Sequence, residues 1–127
     1  MNQHDRGFSV AFATAQLSNA PRAGLKMGAA LYSGSRLLSV GANRWHSHPA
    51  SNNSDFCRSL HAEHVALLRR QHFDKPSGRL TLYVARSLAD GTIGNSRPCD
   101  NCMQLCREAG IDRVRFYEYN VRNEVAL

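Results

Sequence analysis

Hydrophobic positions along the chain fall into alternating helical and extended patterns. In "DRGFSVAFATAQLSNAP" the residues Phe8, Ala11, Phe12 and Ala15 recur at i, i+3, i+4 and i+7, which predicts an amphipathic helix whose end Pro21 marks. Two short apolar runs in "LKMGAALYSGSRLLSVGAN" flank Ser33-Gly34-Ser35 and read as a hairpin with glycine in the turn. Residues 43–57 are polar, rich in Ser and Asn and contain Pro49, a long loop of the kind that carries function. Helical spacing returns in "RSLHAEHVALLRRQHF", where His61, His64, Val65 and Leu68 share a stripe and Ser59 is a candidate N-cap. After "DKPSG" the β-forming run "RLTLYVAR" predicts a third strand. "RPCDNCMQLCREAG" has Pro98 at its start and Gly110 at its end, as a helix does, and "DRVRFYEY" predicts a fourth strand. The order α, β, β, α, β, α, β has no repeat and no linker, so residues 1–127 are expected to form one α/β domain with helices on the faces of a sheet.

Composition narrows the class. A chain of 127 residues with 43% hydrophobic residues is long enough to bury a core. No apolar run approaches the roughly 20 residues of a membrane span, and "MNQHDRGFSV" has no basic segment followed by a long apolar one; a soluble cytoplasmic protein is the expectation. The net charge of +6 points to an anionic partner, nucleic acid or a phosphorylated small molecule, but the basic residues are scattered and suit a solvated surface as well.

The cysteines change the picture more. Three of the four lie in "CDNCMQLC", a placement that fits a metal or redox site better than a disulfide framework. Cys99 and Cys102, three residues apart at a helix start, can reach one ion, and the helix N-terminus favours their thiolates. Such a sulfur pair suits zinc, which takes four ligands; His61, His64 and Cys57 are among the candidates to complete it. One imidazole with two thiolates leaves a position for water, as in catalytic sites. A carboxylate close by, Glu63 in "LHAEH", can then carry protons. A zincin-type protease fails on spacing, whereas a reactive dithiol and a helix with ordinary surface side chains each account for one half of the pattern alone.

The two halves together, His-x-Glu and Pro-Cys-x-x-Cys, form the signature of zinc deaminases. With "GAAL", "SVGAN", "CRSLHAEHVAL" and "SRPCDNCMQLCREAGIDRVRFYEYN", the chain resembles the cytidine deaminase superfamily, and its deoxycytidylate deaminase branch in particular, over residues 28–119. The resemblance implies a three-layer α/β/α fold with a mixed sheet of four to five strands, one catalytic Zn²⁺ held by His61, Cys99 and Cys102, and Glu63 as proton carrier. It also implies that the Ala62 backbone helps hold the base, that Asn43 contacts the sugar, and that the protein is a homo-oligomer. A turn role for Asn43 is the plainer alternative.

Further candidates are open. Arg58 and Arg97 flank the zinc motif and could meet a 5′-phosphate or be surface residues; Trp45 could stack on a base or pack as a lid. His46, His48 and Cys57 offer a second zinc site or exposed loop side chains, Cys106 reads as core, and His64 is expected to pack beneath the site. Eight residues follow Tyr119, room for one short final strand where polynucleotide-acting relatives carry a further helix. The expected activity is hydrolytic conversion of cytosine to uracil in a free nucleotide or nucleoside, deoxycytidylate (dCMP) slightly ahead. A polynucleotide deaminase acting on transfer RNA adenosine or single-stranded cytosine is the alternative, and a non-catalytic zinc-stabilised binding module the third.

Overall fold

The computed structural model describes residues 1–21, 23–45, 59–70 and 78–127, with residues 23, 59 and 60 described by backbone alone. The element order is α1 (Gln3–Ala15), a short 3₁₀ turn (Ala23–Leu25), β1 (Lys26–Ser33), β2 (Arg36–Ala42), β3 (Arg44–Trp45), β4 (Ser59–Leu60), α2 (Ala62–Arg70), β5 (Leu80–Ser87), β6 (Ile93–Gly94), α3 (Asp100–Glu108), β7 (Arg113–Glu118) and β8 (Val121–Ala126). The main sheet runs β2-β1-β5-β7-β8, with β6 paired to the end of β5; β3 and β4 form a separate two-stranded ladder. Among the described strands only β5 and β7 pair in parallel, joined through α3, so the sheet is mixed as expected.

Strand alternation makes the layers. Ala30, Tyr32, Tyr83 and Ala85 turn one way and meet Phe8 and Ala11 of α1. Ala29, Leu31, Leu82 and Val84 turn the other way and pack on Ala62 and Ala66 of α2 and Met103 and Cys106 of α3. Each fully buried large apolar side chain in these layers contributes about 1.5–3 kcal/mol. Two glycines bring helices unusually close to the sheet. A Cβ on Gly28 would collide with the α1 backbone at Ala11 and Ala15, and one on Gly41 would collide with the α2 backbone at Ala62, Val65 and Ala66. The Ser39 hydroxyl, donating to the Ala66 carbonyl at 2.8 Å, fixes α2 on β2.

Both hairpins turn as their residues allow. Gly34 sits at φ 59 between β1 and β2, and Tyr119 and Asn120 at φ 55 and 61 between β7 and β8, the mirror-image turn that matches strand twist. The short final strand is therefore present.

Three local expectations need correction. Helix α1 stops at Ala15, well before Pro21, because Leu17 and Ser18 donate to Thr14 and Ala15 and tighten the last turn. Ser59 is not an N-cap: it pairs with Trp45 in the β3-β4 ladder, and α2 begins at Ala62. The buried face of α2 is Ala62, Val65 and Ala66 with Glu63, not the stripe through Leu68, which is exposed. Small residues are selected there by the closeness of Gly41. Among the described residues no helix is long and apolar enough to cross a membrane.

Candidate metal centre and adjoining cavity

The N-terminal ends of α2 and α3 carry the donors. The His61 carbonyl accepts the first intrahelical bond of α2, from Val65 N at 3.1 Å, so its side chain stands at the helix mouth. Cys99 is the N-cap of α3 and Cys102 lies in its first turn; the Cys99 sulfur accepts from Cys102 N at 3.5 Å. The polypeptide is held here by Ser96. This buried residue donates its N–H to the Tyr117 carbonyl at 2.7 Å and its hydroxyl to the Val84 carbonyl at 2.7 Å, and accepts from Tyr117 N at 2.9 Å. The ends of β5 and β7 are thus pinned together three residues ahead of Cys99.

His61 Nδ1 stands 3.2 Å from Cys102 Sγ and 3.8 Å from Cys99 Sγ, and the three donor atoms all lie within 4.8 Å of one another. Tetrahedral zinc with ordinary Zn–S and Zn–N bonds separates nitrogen from sulfur by about 3.6 Å, which these distances bracket. The electrostatics agree. Burial pushes the Cys102 thiol far above its ordinary pKa, and the neighbouring Glu63 carboxylate adds to the shift, so a thiolate at Cys102 requires a cation beside it. Glu63 is 3% exposed, and its Oε1 has no hydrogen-bond partner among the described residues. A buried carboxylate oxygen without a partner is costly, and a site whose metal and substrate complete its contacts accounts for it. The residues fit a zinc ion.

Beside the donors lies a cavity of about 220 Å³. Its walls are Leu25 and Met27 at the start of β1, Asn43 and Trp45 after β2, His61 and Ala62 at the start of α2, and Arg86 near the end of β5. That is below the roughly 300–1,000 Å³ of clefts for drug-sized ligands. Asn43, Ala62 and Trp45 are thus gathered with His61 around one space. Asn43 also braces the chain: its side-chain Oδ1 accepts from Met27 N at 3.0 Å and its Nδ2 donates to the Leu25 carbonyl at 2.8 Å, leaving a second lone pair on Oδ1 and a second N–H on Nδ2. The turn role and a ligand role are therefore compatible. Trp45 is tied at its backbone to the Asn19 side chain, and its buried Nε1 has no partner among the described residues.

Arg97 is exposed with its guanidinium 5.3 Å from the centroid of the Phe116 ring, and it is not in the cavity wall. Arg58, and the second-zinc candidates His46, His48 and Cys57, lie outside the described residues. His64 is half-buried and is not one of the three grouped donors; Cys106 is fully buried in the core, as expected. Two residues escaped the sequence reading. Arg86 reads there only as the last residue of a strand, and Ser96 as a loop serine; neither carries a local signal, because their partners are 62 residues away at Gly24, and at Val84 and Tyr117.

The fold is shared with known enzymes. The cytidine deaminase from Burkholderia pseudomallei is 20% identical, with 99% of this chain and 93% of that one covered at a TM-score of 0.72. For the cytidine deaminase from Mycobacterium leprae the values are 24%, 90%, 87% and 0.64. For the dCMP deaminase from the cyanophage S-TIM5 they are 24%, 87%, 79% and 0.63, and that enzyme has also been solved in complex with dCMP and dUMP. No curated protein matches the sequence significantly. A family model described as the cytidine and deoxycytidylate deaminase zinc-binding region matches residues 1–118, and the chain belongs to this family of zinc-dependent deaminating hydrolases.

Proposed function

We propose that residues 1–127 act as one cytoplasmic enzyme that hydrolyses the amine of cytosine in a free nucleotide or nucleoside, with dCMP ahead of cytidine and deoxycytidine. The observation that carries this reading is the buried Glu63 carboxylate, whose Oε1 has no hydrogen-bond partner among the described residues, beside a three-donor cluster at the wall of a cavity of about 220 Å³. The complex of the cyanophage neighbour with dCMP and dUMP supports the nucleotide form of the substrate.

His61, Cys99 and Cys102 would hold the ion. When bound, zinc supplies a nucleophile near neutral pH by lowering the pKa of water to about 7. Glu63 takes up the two protons of that water in turn. It delivers one to the ring nitrogen next to the amine-bearing carbon and the other to the departing amine. Water oxygen replaces nitrogen on the ring carbon, so cytosine and water become uracil and ammonia with atoms and protons balanced. Ala62 and Asn43 hold the base and sugar, and Trp45 supplies an apolar wall with one indole N–H to offer.

Ammonia release by the zinc-loaded protein, measured on cytidine, deoxycytidine, their monophosphates, adenosine and transfer RNA, tests the reading. Turnover of a cytosine nucleotide or nucleoside that disappears in Glu63→Ala is the expected result. Turnover of transfer RNA alone would overturn it. The expected homo-oligomer is read from light scattering on the same preparation.

A further inference from the structure

Among the described residues that line the cavity, one is a permanent cation that the deamination chemistry does not use, Arg86. Arg86 projects from β5 one residue before its end, opposite Met27 in the β1 register and Gly94 in the β6 register. Its Nε–H donates to the Gly24 carbonyl at 2.7 Å. Its stem runs over Gly94, where an added Cβ would come within 3.4 Å of Arg86 Cδ and collide with Leu88. The guanidinium is therefore fixed from two sides. Its two terminal nitrogens have no acceptor among the described residues, and no carboxylate pairs with it there. A half-buried guanidinium held by Nε alone presents its other edge as a two-pronged donor, the geometry that matches a phosphate oxygen pair. Neither proton transfer nor the metal donors need such a group.

We propose that Arg86 is the specificity-determining residue for the 5′-phosphate of the substrate, so that the cavity prefers a nucleoside monophosphate over the free nucleoside. This rests on the nucleotide-deaminase reading and adds to it the residue that reads the phosphate, a task for which Arg97, stacked on Phe116 away from the cavity, is not placed.

Binding separates this inference from the reading beneath it. Titration calorimetry of zinc-loaded Glu63→Gln protein with dCMP and with deoxycytidine is expected to show at least a tenfold preference for dCMP. The preference should shrink toward unity when Arg86→Met is added and survive in part with Arg86→Lys, which keeps charge but loses the fork. In the unmutated chain, dCMP but not deoxycytidine should protect Arg86 from phenylglyoxal, mapped by mass spectrometry, a measurement that does not depend on the variants folding. Equal affinity for the two ligands, an undiminished preference in Arg86→Met, or no protection of Arg86 overturns the inference. Phosphate-dependent binding with no ammonia released from any substrate leaves it standing and overturns the deaminase reading instead.

Discussion

Ser96→Ala removes one oxygen and tests whether the joint between β5 and β7 holds the metal centre. Ser96 is 1% exposed, and its hydroxyl both donates to the Val84 carbonyl at 2.7 Å and accepts from Tyr117 N at 2.9 Å, while its backbone N–H to the Tyr117 carbonyl is untouched by the change. Alanine leaves the Tyr117 N–H without its acceptor, a loss of about 1–3 kcal/mol, and forfeits the bond to Val84, worth about 1 kcal/mol. The sum, about 2–4 kcal/mol, corresponds to a drop in unfolding midpoint of roughly 8–16 °C for a chain of this size. Urea unfolding of the zinc-loaded protein measures it directly, provided the slope is unchanged. Because Cys99 follows three residues on, chelator competition should show weaker zinc binding in the same variant. A stability loss under about 0.5 kcal/mol with zinc affinity intact would refute the reasoning, since it would mean that water or backbone adjustment replaces both bonds.

Other perturbations address the remaining layers. Gly41→Ala should lower stability by about 3 kcal/mol in thermal unfolding, because its Cβ meets α2 backbone and not a movable side chain. Stripping zinc with a chelator should lower the unfolding midpoint by mass action, and Cys102→Ser should abolish that increment. Under the same chelation, alkylation mapped by mass spectrometry should reach Cys99 before Cys106, whose thiol burial pushes up to about 12. Glu63→Gln should keep zinc bound yet lose roughly 10²–10⁴-fold in turnover. Near α1, desolvation and then the charge of Arg115 lower the pKa of His4, whose Nδ1 lies 2.9 Å from the Tyr83 hydroxyl. The unfolded chain then binds more protons, so this contribution is complete above about 6.5 and is lost as pH falls through the lowered folded value. An NMR titration placing the His4 midpoint above 6.5 would contradict this.

What the sequence made legible divides along the distance between interacting residues. Helices α1 and α3, the β1-β2 hairpin and strands β5 and β7 follow from periodicity and turn residues within a few positions of each other, and the zinc donors follow from the resemblance that the pairing of "PCDNC" with one distant "HAE" carries. The α2 stripe misled because hydrophobicity was taken as the measure of burial. At this interface the closeness of the Gly41 backbone selects small residues, so Ala62 and Ala66 are buried while Leu68 is left in solvent. The same limit hid Arg86. On the linear chain it closes a strand like any other, and its place in the cavity exists only because β1 and β5 pair in a register that sets Met27 against it and brings the turn at Gly24 within reach of its Nε. Arg97, five residues from Cys102, looked better placed for a phosphate, yet the chain there runs past Phe116 and turns its guanidinium onto that ring. Proximity in sequence to the metal motif located the three donors but not the rest of the cavity wall. The donors sit in two short motifs at the starts of α2 and α3, whereas the wall opposite them is assembled from β1, β2 and β5, and the sheet register decides which side chain it offers.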